Sequence, residues 1–183
     1  EWLPTLLAAD ADDPGYLDDM AAGMGDLAQR VQQALDSARL PARYLELELT
    51  EGFIMGQAER SIAQLEALRE LGVSLAIDDF GTGYSSLSYL KRLPIERIKV
   101  DRSFVRDVPD DGDDVAITRA VIALGMSLGM EVVAEGVETQ QQRQFLLAEG
   151  CWLGQGYLFS RPLPAQAFAD WMRRQRVAID ADA

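Results

Sequence analysis

From residue 27 onward the apolar positions recur at two alternating periods. Leu27, Val31, Leu35 and Ala38 stand at helical spacing, and Leu40-Pro41 stops that helix. Leu45, Leu47 and Leu49 then alternate with Glu46 and Glu48, which predicts a strand over 44–49. Ile62, Leu65, Leu68 and Leu71 mark a second helix that ends at Gly72, a residue type suited to the position after a helix, and 73–77 is a short apolar strand. The alternation continues with a short helix over 85–91, a strand over 97–100, and a helix over 113–128 with Ile117, Val121, Leu124 and Leu128 on one face. After a strand over 131–134, Thr139 and Gln142 form a capping box for a helix backed by Gly150. A strand over 151–155 and a helix over 164–174 close the pattern. Five strands, each followed by a helix, predict an α/β fold with a parallel sheet and right-handed crossovers. Residues 1–26 are rich in Asp, Gly and Pro and predict no fold, and 176–183 reads as a tail.

The residues at or just past the strand ends are Glu48, Asp78 with Asp79, Lys99 with Asp101, Glu135 and Gln155, all polar or charged. A parallel strand is covered on both faces, so carboxylates at that depth need a partner or a metal. In α/β barrels this rim is where active sites are assembled. The repeat is about 27 residues per βα unit, so eight units would need roughly 214 residues. With 183 residues and five units, a complete eight-stranded barrel does not fit unless another chain or a missing segment supplies the rest.

Composition narrows the chemistry. With 17 Lys and Arg against 30 Asp and Glu, and no His, the formal net charge is −13. Such a surface repels polyphosphate at long range and argues against non-specific DNA or RNA binding. The single Cys151 leaves no intramolecular disulfide, so a reducing, cytoplasmic setting is expected, and no apolar run is long enough for a membrane span. Oxygen-only ligands select hard divalent ions, and without histidine zinc is a poor fit.

Each feature has a bland reading when taken alone. Adjacent aspartates such as Asp78-Asp79 are more often a helix cap or a solvated turn, and a glycine-rich turn without a following Lys-Ser or Lys-Thr is a weak phosphate loop. Glu46 reads as solvated or paired with an Arg, the run 110–114 as an acidic loop capping the next helix, and Trp152 and Trp171 as packing residues. The functional reading prevails because Glu48, Asp78, Asp79, Lys99 and Glu135 occur together at successive strand ends.

The same residues carry a family resemblance. Glu46-Leu47-Glu48-Leu49-Thr50-Glu51, the run Asp78-Asp79-Phe80-Gly81-Thr82-Gly83-Tyr84-Ser85-Ser86-Leu87, Ile98-Lys99-Val100-Asp101, Val133-Ala134-Glu135-Gly136-Val137-Glu138-Thr139 and Gln155-Gly156-Tyr157 together resemble the EAL domain of bacterial cyclic di-GMP phosphodiesterases. The resemblance places that domain at 27–175 and implies a TIM-like barrel that uses Mg²⁺ or Mn²⁺ to hydrolyse cyclic di-GMP to linear pGpG. It implies Glu48, Asp78 and Asp79 as metal ligands, Lys99 at the attacking water or phosphate, and Glu135 as general base. Asp101, Gln155 and Glu138 would line the site. Glu51, Phe80, Gly81, Thr82 and Gly83 would support the loop after Asp79, through which the family couples its metal site to dimerisation. A homodimer and fused sensory or GGDEF-type domains are implied as partners.

The chain also departs from the family pattern. It contains no Asn, so the asparagine ligand is not matched, and the family's name-giving Glu-Ala-Leu segment with its nearby arginine is expected not to occur in it, which would leave the TIM-like barrel incomplete at its N-terminal side by three strands' worth of domain. A receptor that binds cyclic di-GMP without cleaving it, and a purely structural or dimerisation fragment, are the competing readings. A metal-assisted lyase on an enolase-type barrel is disfavoured by the Asp-Asp-Phe-Gly-Thr-Gly and Val-Ala-Glu-Gly-Val-Glu runs.

Overall fold

The computed structural model of the chain describes residues 27–50, 58–83 and 87–181. In order, the elements are α1 (Leu27–Ala38), a single 3-10 turn (Ala42–Tyr44), β1 (Glu46–Thr50), α2 (Ala58–Glu70), β2 (Ser74–Phe80), α3 (Leu87–Leu90) and β3 (Arg97–Val100). There follow α4 (Arg102–Val105), α5 (Gly112–Ser127), β4 (Glu131–Ala134), α6 (Gln140–Ala148), β5 (Leu153–Gly154) and α7 (Ala165–Ala181). The strands form one parallel sheet in the order β1-β2-β3-β4-β5. A doubly wound sheet reverses its strand order and spreads its helices over both faces. Right-handed crossovers in unbroken order instead keep the helices on one face, which is the arc of a TIM-like barrel.

The register sorts the sheet into two unlike faces. Leu47 and Leu75 are partners, as are Leu49 and Ile77, Ile77 and Ile98, Ile98 and Val132, and Val100 and Ala134. That apolar face packs into one core with Leu65 and Leu68 of α2, Val121 and Ile122 of α5, and Leu146 of α6. The opposite face aligns Glu48 with Ala76, Ala76 with Arg97, Arg97 with Glu131, and Lys99 with Val133. A parallel sheet is ordinarily apolar on both faces, so a row of charges along one of them marks that face as the site.

Several expected elements differ in detail. The turn at Ala42–Tyr44, entered from Pro41, delays β1 until Glu46. On α5 the buried positions are Thr118, Val121, Ile122 and Gly125, while Ile117, Leu124 and Leu128 are only partly covered. Gly125 is the reason, because a Cβ there would lie 2.4 Å from Val132 Cγ2; the helix approaches the sheet through its glycine. Thr118 is completely buried and donates its hydroxyl to the Phe104 carbonyl at 3.1 Å. The helix expected over 164–174 runs on to Ala181, there being neither Gly nor Pro after Pro164 to stop it. Trp152 does not pack: it is 77% exposed beside β5, which pairs only with β4 among the described residues. A Glu-Ala-Leu triplet does occur, at Glu66, Ala67 and Leu68, but within α2, where Leu68 faces the core; it ends no strand and is not the family's strand segment.

Candidate active site

Strict alternation along β2 would send Asp78 and Asp79 to opposite faces. The ladder to β3 prevents this. Ile77 pairs with Ile98 and Phe80 with Val100, so two residues of β2 stand opposite the single Lys99. Ile77 and Phe80 both face the helices, and the extra residue leaves both aspartates on the site face. Asp79 takes the left-handed conformation this requires, with φ 51°. Asp is among the few residue types with a side chain that tolerates that region, and such backbone is found at functional sites. Thr82 closes the turn by donating its hydroxyl to the Asp79 carbonyl at 2.8 Å.

Lys99 stands at the centre. Its Nζ lies 2.7 Å from Glu48 Oε1, 2.9 Å from Asp78 Oδ1 and 2.6 Å from Glu135 Oε1, and its side chain is 5% exposed. Gln155 Nε2 donates to the same Glu135 oxygen at 2.7 Å. Five residues from five strands or strand ends, Glu48, Asp78, Lys99, Glu135 and Gln155, thus meet at one end of the sheet. Glu135 and Gln155 sit one residue past their strands, where the ladder still holds through Glu135 N to Val100 O and Gln155 N to Ala134 O.

A second charged row lies closer to the strands' N-terminal ends. Arg97 pairs with Glu46 through Nη1 and holds Glu131 Oε2 through Nη2 at 2.6 Å and Nε at 3.1 Å. Its register partner on β2 is Ala76, whose methyl leaves room for the guanidinium to reach across to β1. Glu46 is therefore paired with an Arg, as its position suggested.

Proton affinities in the upper row reflect crowding. Burial, then the charge of Asp78 and a hydrogen bond with Asp101, pushes Asp79 up to about 6. Burial also raises Glu135, against the pull of Lys99. Burial alone would lower Lys99, but the carboxylates of Glu135, Glu48 and Asp78 hold its ammonium above the usual lysine range. Asp101 is held low despite burial, by the Ser103 hydroxyl and N–H.

This donor set fits a hard divalent cation. Asp78, Asp79 and Glu135 can each offer one carboxylate oxygen with all of these within 4.8 Å of one another. Asp78 Oδ1 is buried and, although Lys99 lies 2.9 Å away, has no partner of hydrogen-bonding geometry. Buried carboxylate oxygens facing like charge are what oxygen-selective ions neutralise. Glu48 reaches the cluster through Lys99 and is not one of these three carboxylates.

The remaining candidates are placed around it. Asp101 caps α4, accepting from Ser103 N at 2.9 Å, and shares a hydrogen bond with Asp79. Glu138 is exposed, and its backbone N–H donates to Gln142 Oε1 at 2.7 Å. Phe80 is in the core, and Gly81, at φ 103°, lies against the Phe104 ring, where a Cβ would be 3.0 Å away. Gly83 follows in the same turn. Glu51 and residues 84–86, on which the loop-support and dimer readings partly fall, lie outside the described residues. Arg97 and the inter-loop bond of Gln142 were not anticipated, since their partners are distant in sequence. A cleft of about 350 Å³ lined by Arg106, Asp107, Asp110, Asp111, Thr139 and Gln142, among others, contains none of the site carboxylates.

A family profile described as the EAL domain matches residues 17–162. The "Cyclic di-GMP phosphodiesterase NbdA" of Pseudomonas aeruginosa is 54% identical over 154 residues, 84% of this chain and 20% of that protein. The chain thus spans about a fifth of the length of such curated relatives. Among solved structures, the "PaMucR Phosphodiesterase, c-di-GMP complex" superposes with a TM-score of 0.75 at 48% identity, covering 78% of this chain and 58% of that one. The manganese and cyclic di-GMP complex of Klebsiella pneumoniae BlrP1 at pH 9.0 gives 0.69 at 42% identity, covering 75% and 35%.

Proposed function

The chain belongs to the EAL domain family, and from that premise we propose that it forms the catalytic part of a phosphodiesterase that hydrolyses cyclic di-GMP to linear pGpG. The observation that carries this reading is the junction of Lys99 with Glu48, Asp78 and Glu135, with Asp79 beside it. Asp78, Asp79 and Glu48 would hold Mg²⁺ or Mn²⁺, with a Glu135 oxygen within reach of the same position. Bound there, a divalent ion supplies neutralisation of phosphoryl charge and acidification of water.

The chain's own groups supply the rest. Glu135, its proton affinity raised by burial and its carboxylate held by Lys99 and Gln155, would take the proton of the attacking water. Lys99, fixed by three carboxylates, offers a positive charge that cannot wander, suited to orienting the water or a phosphate oxygen. Asp101, Gln155 and Glu138 would line the site. Phe80, Gly81, Thr82, Gly83 and Glu51 would hold the loop after Asp79, with a homodimer formed through that loop and sensory or GGDEF-type domains fused to this one. No helix among the described residues is long and apolar enough to cross a membrane, and a cytoplasmic setting accords with a nucleotide messenger as substrate.

The test is release of pGpG from cyclic di-GMP in Mn²⁺ by the full-length protein that carries this chain, with Glu135→Gln as control; the 183 residues alone are expected to turn over little or nothing. Nucleotide binding without turnover would favour the receptor reading, and neither binding nor turnover the structural one.

A further inference from the structure

The capping box at the start of α6 does more than cap. Thr139 Oγ1 accepts from Gln142 N at 3.2 Å, and Gln142 Oε1 accepts from Thr139 N at 2.8 Å and from Glu138 N at 2.7 Å. For that task glutamate serves as well as glutamine, since only a side-chain acceptor is needed. Here the other half of the amide is also used. Gln142 Nε2 donates to the carbonyl of Arg106, 36 residues away, at 2.8 Å, and the side chain is buried, with 4% exposure.

The two loops joined by this amide both carry site residues. Arg106 ends α4, its N–H bonded to Arg102 O at 2.9 Å, and α4 begins at its cap Asp101. Glu138 and Thr139 end the segment that starts at Glu135. The same loops meet again nearer the site, where Gly136, at φ 68°, lies so close to Arg102 that a Cβ would be 2.6 Å from that residue's Cβ. One contact is a close approach of backbone, the other a part-buried hydrogen bond whose donor side chain is buried. Together they make the two loops one body.

We propose that Gln142 is a positioning residue: its amide ties the loop carrying Asp101 to the loop carrying Glu135 and so sets the spacing of these carboxylates across the site. This rests on the phosphodiesterase reading above, and it explains why an amide rather than a carboxylate occupies the third position of the helix. A carboxylate would keep the cap and face the Arg106 carbonyl with no proton to donate.

The experiment compares Gln142→Glu, which keeps the cap acceptor and loses the tie, with Thr139→Val, which loses the threonine cap and keeps the tie. Both are made in the full-length protein that carries this chain and read by hydrogen exchange of the amides of residues 102–106 without metal, by calorimetric Mn²⁺ titration, and by pGpG release. Gln142→Glu is expected to exchange faster over 102–106 and to bind Mn²⁺ on the order of 10-fold more weakly, the usual consequence of losing an outer-shell hydrogen bond. Thr139→Val is expected to melt at a lower temperature with exchange over 102–106, Mn²⁺ affinity and pGpG release unchanged. Should Gln142→Glu fail to fold, Gln142→Met, which loses both the side-chain cap acceptor and the tie, is read against Thr139→Val, and only the former is expected to speed exchange over 102–106. Unchanged exchange in the glutamine variants, or equal acceleration in Thr139→Val, overturns the proposal. The expected exchange pattern in a full-length protein that releases no pGpG would leave the tie standing and remove the phosphodiesterase reading.

Discussion

Two rows of charge stand one above the other on the site face of the sheet, two residues apart along β1, β2 and β3 and four apart at β4. In the lower row Arg97 of β3 lies between Glu46 of β1 and Glu131 of β4. In the upper row Lys99 of β3 lies between Glu48 of β1 and Glu135 after β4. The rows differ in their acids on β2. Below, β2 contributes Ala76, and one guanidinium with five donors serves two carboxylates. Above, β2 contributes Asp78 and Asp79, Asp101 stands next to them, and a single ammonium faces the excess. A row whose charges are nearly matched is a brace. A row with surplus negative charge in a half-buried setting is unfinished without a cation, and that is the physical difference between a structural and a chemical ion-pair network.

Substitutions can break this contrast or make it sharper. The largest effect is expected for Glu135→Gln, which should lower pGpG release by about 10²–10⁴-fold, the range for removal of a general base, while cyclic di-GMP still binds. Turnover assays in Mn²⁺ beside nucleotide titrations check it, and loss of binding as well would make Glu135 chiefly a metal ligand. Lys99→Met removes the cation of the upper row and should reduce unfolding free energy by about 3 kcal/mol in metal-free buffer. Part of that loss should return with Mn²⁺, which binds the folded state; urea titrations with and without the ion would show equal losses if the upper row were only a brace.

Arg97→Met does the same to the lower row. With Arg97 30% and Glu131 59% exposed, solvent screening limits the cost to about 1 kcal/mol. Mn²⁺ should not restore it, and restoration of the kind expected for Lys99→Met would erase the distinction between the rows. Smallest of all, Glu131→Gln leaves Arg97 its pairing with Glu46 and should change stability by no more than about 0.5 kcal/mol in the same titrations.

Much of this was legible in the sequence because it depends on period two. Once the strands are located, Glu48, Lys99, Glu135 and Gln155 fall on one face and at one end by alternation alone. Asp78 and Asp79 obey a different rule. Nothing in the pair announces that one residue is surplus to the ladder, because the left-handed turn falls on Asp79 itself rather than on a glycine. The buried face of α5 was hidden for a related reason: its closest approach to the sheet runs through Gly125 and Thr118, which carry little hydrophobic signal. Arg97 and Gln142 depend on partners 34, 51 and 36 residues away, and local pattern is silent about bonds of that span.

The surplus residue in β2 sets two demands on this sheet against each other. Deleting either aspartate would restore a regular ladder, bring Phe80 into register with Val100 by simple alternation, and remove a left-handed residue from the middle of a parallel sheet. A lineage selected only for robustness would therefore drift toward the shorter strand, one codon away, and in doing so would lose one of its two adjacent acids. A length comparison of this segment among related chains would therefore separate those retaining the chemistry from those retaining only the scaffold.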